Sequence, residues 1–252
     1  MPRPVVLLPP SKGKADGGRG RAYGRTLGRA HPLGPARREV LDAVVAGVPR
    51  LAASTLARAA GVPASEAAAA RRALVGLVDA PTMPAGRRYT GVVHGNAGLA
   101  DVDPTTAGVD VRIVSALLGL AALDDAVPAY RLEFAASLPG LGGIATHWRE
   151  RLGDHLAEVC HRRRVWDLLP AEHARVWPAG LRDTLDVVTV RFVRPGGGAA
   201  NAARTKLAKG RIVAHLLARP SATPERLARD VALDAGWRLV ASGGVVTATF
   251  RG

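Results

Sequence analysis

Tyr130, Arg131 and Glu133 share one short stretch, Pro128-Ala129-Tyr130-Arg131-Leu132-Glu133. A guanidinium grips a phosphate or carboxylate with two parallel hydrogen bonds. A phenol and a carboxylate beside it can move protons. The same groups can also form a salt-bridged turn that ties a strand to a helix, and the residues alone leave both readings open. His173, in Pro170-Ala171-Glu172-His173, adds an imidazole that titrates near neutral pH. Tyr130, Glu133 and His173 are therefore the catalytic candidates.

Two other stretches could hold an anion. Val5 to Leu8 read as a short buried strand closed by Pro9-Pro10, and Ser11-Lys12-Gly13-Lys14 follows. The full G-x-x-x-x-G-K-[ST] pattern is missing, so a P-loop is not expected. Lys12, Lys14 and exposed backbone N–H groups still attract negative charge. Further on, Asn201 to Arg219 read as a basic helix carrying Arg204, Lys206, Lys209 and Arg211. Lys206 and Lys209 stand one helical turn apart, a spacing at which both can face one anion.

The elements that must position these groups alternate irregularly, which predicts an α/β or mixed α+β domain rather than a repeated barrel. Val111 to Leu120 form an apolar run expected to be one buried strand. Residues 36–78 are expected to be helical. Within them, Ser54 to Ser65 outline a helix-turn-helix, but Ala67 to Ala70 leave few groups able to reach base edges. Residues 15–35 have no hydrophobic period and read as a flexible Gly/Arg-rich loop. Tyr89, Thr90 and His94 lie where a loop is expected to enter a short strand. A lone histidine such as His94 is more often structural. Ile144 to Cys160 read as one amphipathic helix. Before it, Leu138-Pro139-Gly140-Leu141-Gly142 matches both a plain tight turn and the hairpin of a helix-hairpin-helix, a module that holds DNA phosphate. Val165 to Leu169 and Val187 to Val193 are further strands, and residues 237–250 form a closing hairpin.

Apolar residues make up 48% of the 252, enough for a substantial core in one domain spanning 1–252. The net charge of +14 favours polyanions or phosphorylated small molecules. Part of it sits in Arg19, Arg21, Arg25 and Arg29, where a solvated basic surface is the alternative. The single cysteine, Cys160, excludes an intramolecular disulfide and fits a reducing cytoplasm. Its place on an amphipathic helix points to packing rather than reactivity. No metal site or cofactor is expected, because no H-E-x-x-H or Cys-x-x-Cys occurs. No membrane span or signal peptide is expected either.

Several of these segments occur in the same order in one family. They are Leu7-Leu8-Pro9-Pro10-Ser11-x-Gly13-Lys14, Ala80-Pro81-Thr82-Met83-Pro84-Ala85 with Arg88-Tyr89-Thr90-Gly91-Val92, Pro128-Ala129-Tyr130-Arg131-Leu132 with Leu138-Pro139-Gly140-Leu141-Gly142, and Lys206-Leu207-Ala208-Lys209-Gly210. Over nearly its whole length the chain resembles the YaaA family of peroxide stress proteins, in the form found in actinobacteria. The resemblance implies one α/β domain of unusual topology with a basic cleft. It also implies a cytoplasmic role in limiting oxidative damage linked to iron, and DNA binding through a helix-hairpin-helix. By position it implies site roles for Ser11, Lys14, Tyr89, Thr90, Gly91, Ser115, Tyr130, Arg131, Asp167 and Lys206. The chain departs from the family at Ala116, Leu118, Ala122-Leu123, Pro170, His173 and Lys209.

Two functions are therefore expected side by side. One is binding of DNA or another polyanion in peroxide stress, with Lys12, Lys14, Lys206 and Lys209 on phosphate. The other is a specialised enzyme, recruited to a biosynthetic pathway, that acts on a small anionic or nucleotide-like substrate clamped by Arg131 and Lys206.

Overall fold

The computed structural model describes residues 2–28 and 31–251. Arg29 and Ala30 lie outside them, so the expectation for 15–35 is tested only in part. The mixed α/β class expected from sequence is what the chain adopts, around one seven-stranded sheet in the order β10-β11-β9-β8-β1-β3-β4.

Strand β1 (Val5–Leu8) lies inside the sheet, fully buried. Continuous apolar runs of this kind suit a strand covered on both faces. Three helices follow, α1 (Gly34–Gly47), α2 (Ala53–Ala60) and α3 (Ala67–Val75). Within this helical subregion Arg71 of α3 is spent on the carbonyls of Val48, Pro49 and Leu51. It closes the turn between α1 and α2 and does not present itself for reading DNA.

Strand β2 (Thr82–Pro84), the short helix α4 (Ala85–Arg88) and helix α5 (Val92–Asn96) come next. Val92 to His94 are thus helical, not the expected strand. A short apolar run carries no decisive period, and here the segment packs against the long helix α9 (Ala202–Ala218).

The apolar run 111–120 is two strands, not one. β3 (Asp110–Ser115) turns back into β4 (Gly119–Ala122), antiparallel, with Ser115 opposite Gly119. Gly119 has φ +70°, and a Cβ there would run into the ring of Trp148. Trp148 is fully buried and donates its indole N–H to Ala116 O at 2.8 Å.

β5 (Ala126–Pro128) pairs with β2. β6 (Ser137–Leu138) and β7 (Gly142–Gly143) form the expected tight turn, with Gly140 and Gly142 both at positive φ. The turn leads into a helix but is entered from an irregular segment, so the helix-hairpin-helix outline is met only on its downstream side. The expected helix 144–160 is two, α6 (Ile144–Arg151) and α7 (Gly153–Cys160), hinged at Leu152-Gly153.

β8 (Val165–Asp167), the short helix α8 (Ala171–Ala174), β9 (Val187–Val193), α9, α10 (Pro224–Asp230), β10 (Trp237–Ser242) and β11 (Val245–Phe250) complete the fold. Asn201 caps α9 through Ala203 N and Arg204 N.

β1 is parallel to β3 on one side and to β8 on the other, and β8 is parallel to β9. The chain leaving β1 goes on to β3, while the chain leaving β8 goes on to β9, on the opposite side. Neighbouring strands whose connections part in this way make a topological switch point, and ligands of open α/β sheets bind outside the carboxyl ends there.

Residues 15–28 hold only a short 3-10 turn, but they are tied down. Arg88, fully buried, donates to the carbonyls of Ala15, Gly17 (2.8 Å), Pro81 (3.2 Å) and Val127 (3.0 Å). Tyr23 is fully buried, and Gly20 N bonds Thr82 O at 2.8 Å. Replacing Arg88 by leucine strands four carbonyls. The expected loss is about 3–5 kcal/mol of stability, seen as a melting point lower by roughly 6–12 °C or more in a thermal denaturation scan.

Candidate functional site

The loops that leave β1, β3 and β8 bring most of the candidate side chains together. After β1 the chain runs through Ser11 to Lys14, and Lys14 makes a bridge with Tyr89. Its ammonium nitrogen bonds Ser11 O at 2.9 Å and sits 4.2 Å from the ring centre of Tyr130 and 5.4 Å from that of Tyr89. Burial and the nearby Arg131 guanidinium push the Lys14 pKa down to about 7, against a smaller opposing pull from Glu133. An amine there switches its charge near neutrality.

The two phenols are buried. Tyr130 Oη lies 3.0 Å from Tyr89 Oη and 2.8 Å from Ser115 Oγ. Ser115 Oγ in turn accepts from Leu117 N and Leu118 N in the β3–β4 turn. Burial raises the pKa of both phenols, Tyr130 well above the usual value.

Glu133 pairs with Lys12 at 2.8 Å. Its backbone N–H bonds Ala59 O, and its carboxylate rests on Gly61, the left-handed residue that ends α2. A Cβ at Gly61 would collide with that carboxylate. Arg131 is exposed and makes no hydrogen bond or ion pair among the described residues. It is the free guanidinium of the group.

On the β8 side, His173 stacks on Phe134 with ring centres 4.9 Å apart. Burial lowers its pKa to about 4; Glu133 pulls it up and Lys209 pushes it down. Asp167 at the end of β8 accepts from Leu169 N (2.9 Å) and Trp177 Nε1 (3.1 Å) and pairs with Arg182 (3.0 Å). Burial still raises its pKa. Lys209 is buried and donates to Leu168 O at 2.5 Å. Burial lowers its pKa to about 8, with Asp167 opposing. Lys14, Glu133, His173, Lys209 and Asp167 thus form one chain of mutual electrostatic influence along the carboxyl ends of β1 and β8.

Not every candidate joins it as expected. Lys206 is exposed while Lys209 is buried under β8, so the two do not share an anion. A register one turn apart fixes the angle, but Lys209 is drawn inward by the Leu168 carbonyl. Ser11 spends its hydroxyl on Gly13 O. Thr90 is exposed beside Gly13.

Arg88, Trp177 and Arg182, which hold the site's loops and Asp167, were not singled out from sequence. Only the adjacency of Arg88 to Tyr89 hinted at the first. Two surface cavities, of about 530 and 600 Å³, lie apart from this cluster. One is lined by Arg194, Arg204 and Arg251, the other by Arg19, Arg21 and Arg87. No helix among the described residues is long and apolar enough to cross a membrane.

A sequence model of the family described as peroxide stress protein YaaA matches residues 5–240. The chain belongs to that family. A UPF0246 protein of Streptomyces coelicolor is 34% identical over 221 residues, covering 85% of this chain and 83% of its own length. UPF0246 proteins of Corynebacterium efficiens and Corynebacterium glutamicum are each 30% identical over 155 and 157 residues, covering 62% of this chain and 61% of theirs. The resemblance noted in the sequence is thereby established, and membership is in a peroxide-stress-related family.

Two measurements check the electrostatics. The unfolded chain keeps the Lys14 proton up to about 10.5, whereas the folded chain releases it near 7. Folded stability therefore rises with pH through that window, and the burial penalty is largest below it. Lys14→Met should melt higher than wild type at pH 6.5, with the gap closing by pH 10. Cys160 is buried, and burial pushes its thiol up to about 11. In the native chain it should resist iodoacetamide and peroxide at pH 7, reacting only after unfolding.

Proposed function

We propose that the cluster at the carboxyl ends of β1, β3 and β8 binds a small anionic, nucleotide-like molecule and carries out acid–base chemistry on it. The observation that carries this reading is Lys14. It is a largely buried amine, packed over two phenols and without a paired carboxylate of its own, at the switch point of the sheet. Structural lysines are exposed or ion-paired; one held near its titration point at a strand end suits proton transfer.

Arg131 and Lys12 meet the charged end of the ligand, the first because its guanidinium is uncommitted and the second because its partner Glu133 can turn to other work. Lys14 exchanges the proton. Tyr130, Glu133 and His173 support it. The work is done in the cytoplasm, in keeping with a single thiol, and within the peroxide-related role that the family name carries.

A second reading has its own support. The charge of +14 and the exposed Lys206 suit a polyanion such as DNA. It predicts affinity that falls steeply with salt.

Thermal-shift titration separates the two. Ribose 5-phosphate, adenosine 5′-monophosphate and duplex DNA are added to wild type and to Arg131→Ala. A small anion at a hundred times its Kd should stabilise wild type by about 2.7 kcal/mol, a shift of several degrees that Arg131→Ala loses. If Arg131→Ala responds to the small anions as wild type does, the clamp is wrong. If only DNA stabilises, and salt erases the effect, the polyanion reading stands in its place.

A further inference from the structure

Strands β9 and β11 run parallel, with Val193 level with Thr249. Their carboxyl ends therefore lie side by side, and each strand is followed directly by an arginine, Arg194 after β9 and Arg251 after β11. Three consecutive glycines, Gly196, Gly197 and Gly198, then take φ values of 81°, 91° and 82°. Side chains rarely tolerate one such angle, so a run of three is open to glycine alone. The turn folds back until Ala199 bridges Val193, and α9 starts against the same strand ends. Arg204, in the first turn of α9, lies over Phe250 with its guanidinium carbon 4.4 Å from the ring centre. Three guanidiniums from three elements thus line one surface cavity of about 530 Å³.

Nothing in that cavity offsets their charge. The other lining residues are uncharged. Elsewhere Arg164, Arg211 and Arg229 each hold a carboxylate, but none of these three makes an ion pair among the described residues. Arg194 spends only its Nε–H, on Gly197 O at 3.2 Å. All three arginines are exposed, so a ligand can reach them. The end of α9 is not what makes the site, because Asn201 already takes the N–H groups of Ala203 and Arg204. Like charges gathered without a counter-charge repel, and a bound anion relieves that repulsion.

We propose that this cavity binds a diphosphate group, either as the inorganic ion or at the end of a nucleotide. A guanidinium pairs phosphate oxygens two at a time. A phosphate monoester carries about two negative charges at neutral pH, one short of the guanidiniums present; two linked phosphates match them more closely. The volume falls within the range of about 300–1,000 Å³ usual for small-ligand pockets. The ring of Phe250 holds Arg204 in place before the ligand arrives, which lowers the cost of ordering it. The cavity stands apart from the cluster around Lys14 and works whether or not that cluster is catalytic.

Isothermal titration tests it, with inorganic pyrophosphate, orthophosphate, adenosine 5′-diphosphate and duplex DNA added to wild type, Arg194→Gln, Arg251→Gln and Arg131→Ala. Wild type should bind pyrophosphate about tenfold more tightly than orthophosphate or better, the worth of one further charged hydrogen bond. Each glutamine variant should lose about tenfold or more of the pyrophosphate affinity, while Arg131→Ala keeps it. Without added anion both glutamine variants should melt at or above wild type, since each removes one of three repelling charges. The nucleotide sorts the source. Binding as tight as pyrophosphate or tighter assigns the cavity to a nucleotide's diphosphate, and weaker binding assigns it to the inorganic ion.

Equal affinity for pyrophosphate and orthophosphate overturns the proposal. So does pyrophosphate binding that survives both glutamine variants and disappears in Arg131→Ala, a result that moves the anion to the cluster around Lys14. Loss of DNA binding in the glutamine variants, with pyrophosphate binding unchanged, gives the cavity to a polynucleotide backbone and overturns the diphosphate assignment. A melting point lowered by both substitutions in the absence of anion makes the arginines structural and overturns it as well.

Discussion

Because β1 is hydrogen-bonded on both sides to parallel strands, it has no free edge and no freedom of register. Its backbone groups are spent, its four side chains are buried, and the chain can leave only at the end where β3 and β8 also finish. Everything polar that follows those strands is thereby delivered to one rim. Lys12 and Lys14 arrive from β1, Ser115 from β3, Asp167 and His173 from β8. The rest of the fold keeps the rim in place: Arg88 pins the stretch after Lys14, and α2 supports Glu133.

Burial then does what side-chain identity alone does not. Two amines are taken out of water, and no carboxylate in hydrogen-bond contact offsets the loss in either case. Lys14 has the Ser11 carbonyl and two aromatic faces; Lys209 has the Leu168 carbonyl, with Asp167 close by. A carbonyl or a ring face stabilises a cation less than a carboxylate does, so both amines come within reach of neutral pH. His94 and His173 are held in the opposite condition, neutral at physiological pH. The rim therefore combines groups that exchange charge with groups that keep a fixed one, which is the division of labour that acid–base chemistry needs.

Much of this was legible in the chain. The apolar strand Val5 to Leu8, the strand beginning at Val165 and the basic helix from Asn201 all announced themselves. So did the polar stretch around Tyr130 and the order of motifs that ties the chain to its family. What stayed hidden had two causes. The run 111–120 is apolar on both strands of a hairpin, so hydrophobicity gave no sign of the turn at Ala116-Leu117-Leu118. Val92 and Val93 carry strand propensity, but the segment is a helix packed on α9, with Val93 buried and Val92 left exposed. Lys206 and Lys209 differ only in what lies opposite, one water and the other a backbone carbonyl. The last two misses concern a partner distant in sequence, which local pattern does not encode; the first is a local turn inside an unbroken apolar run.

The contact between Gly61 and Glu133 links two regions that sequence separates. The helical hairpin 53–75 ends its first helix in a left-handed glycine, and the Glu133 carboxylate occupies the space a side chain would take. The hairpin is therefore a wall of the rim as well as a scaffold. Any tilt of α2 is transmitted as a shift in the position of one negative charge, because the Glu133 N–H is bonded to the Ala59 carbonyl. A partner that gripped the outer face of the hairpin would thus alter the electrostatics of the rim without ever entering it.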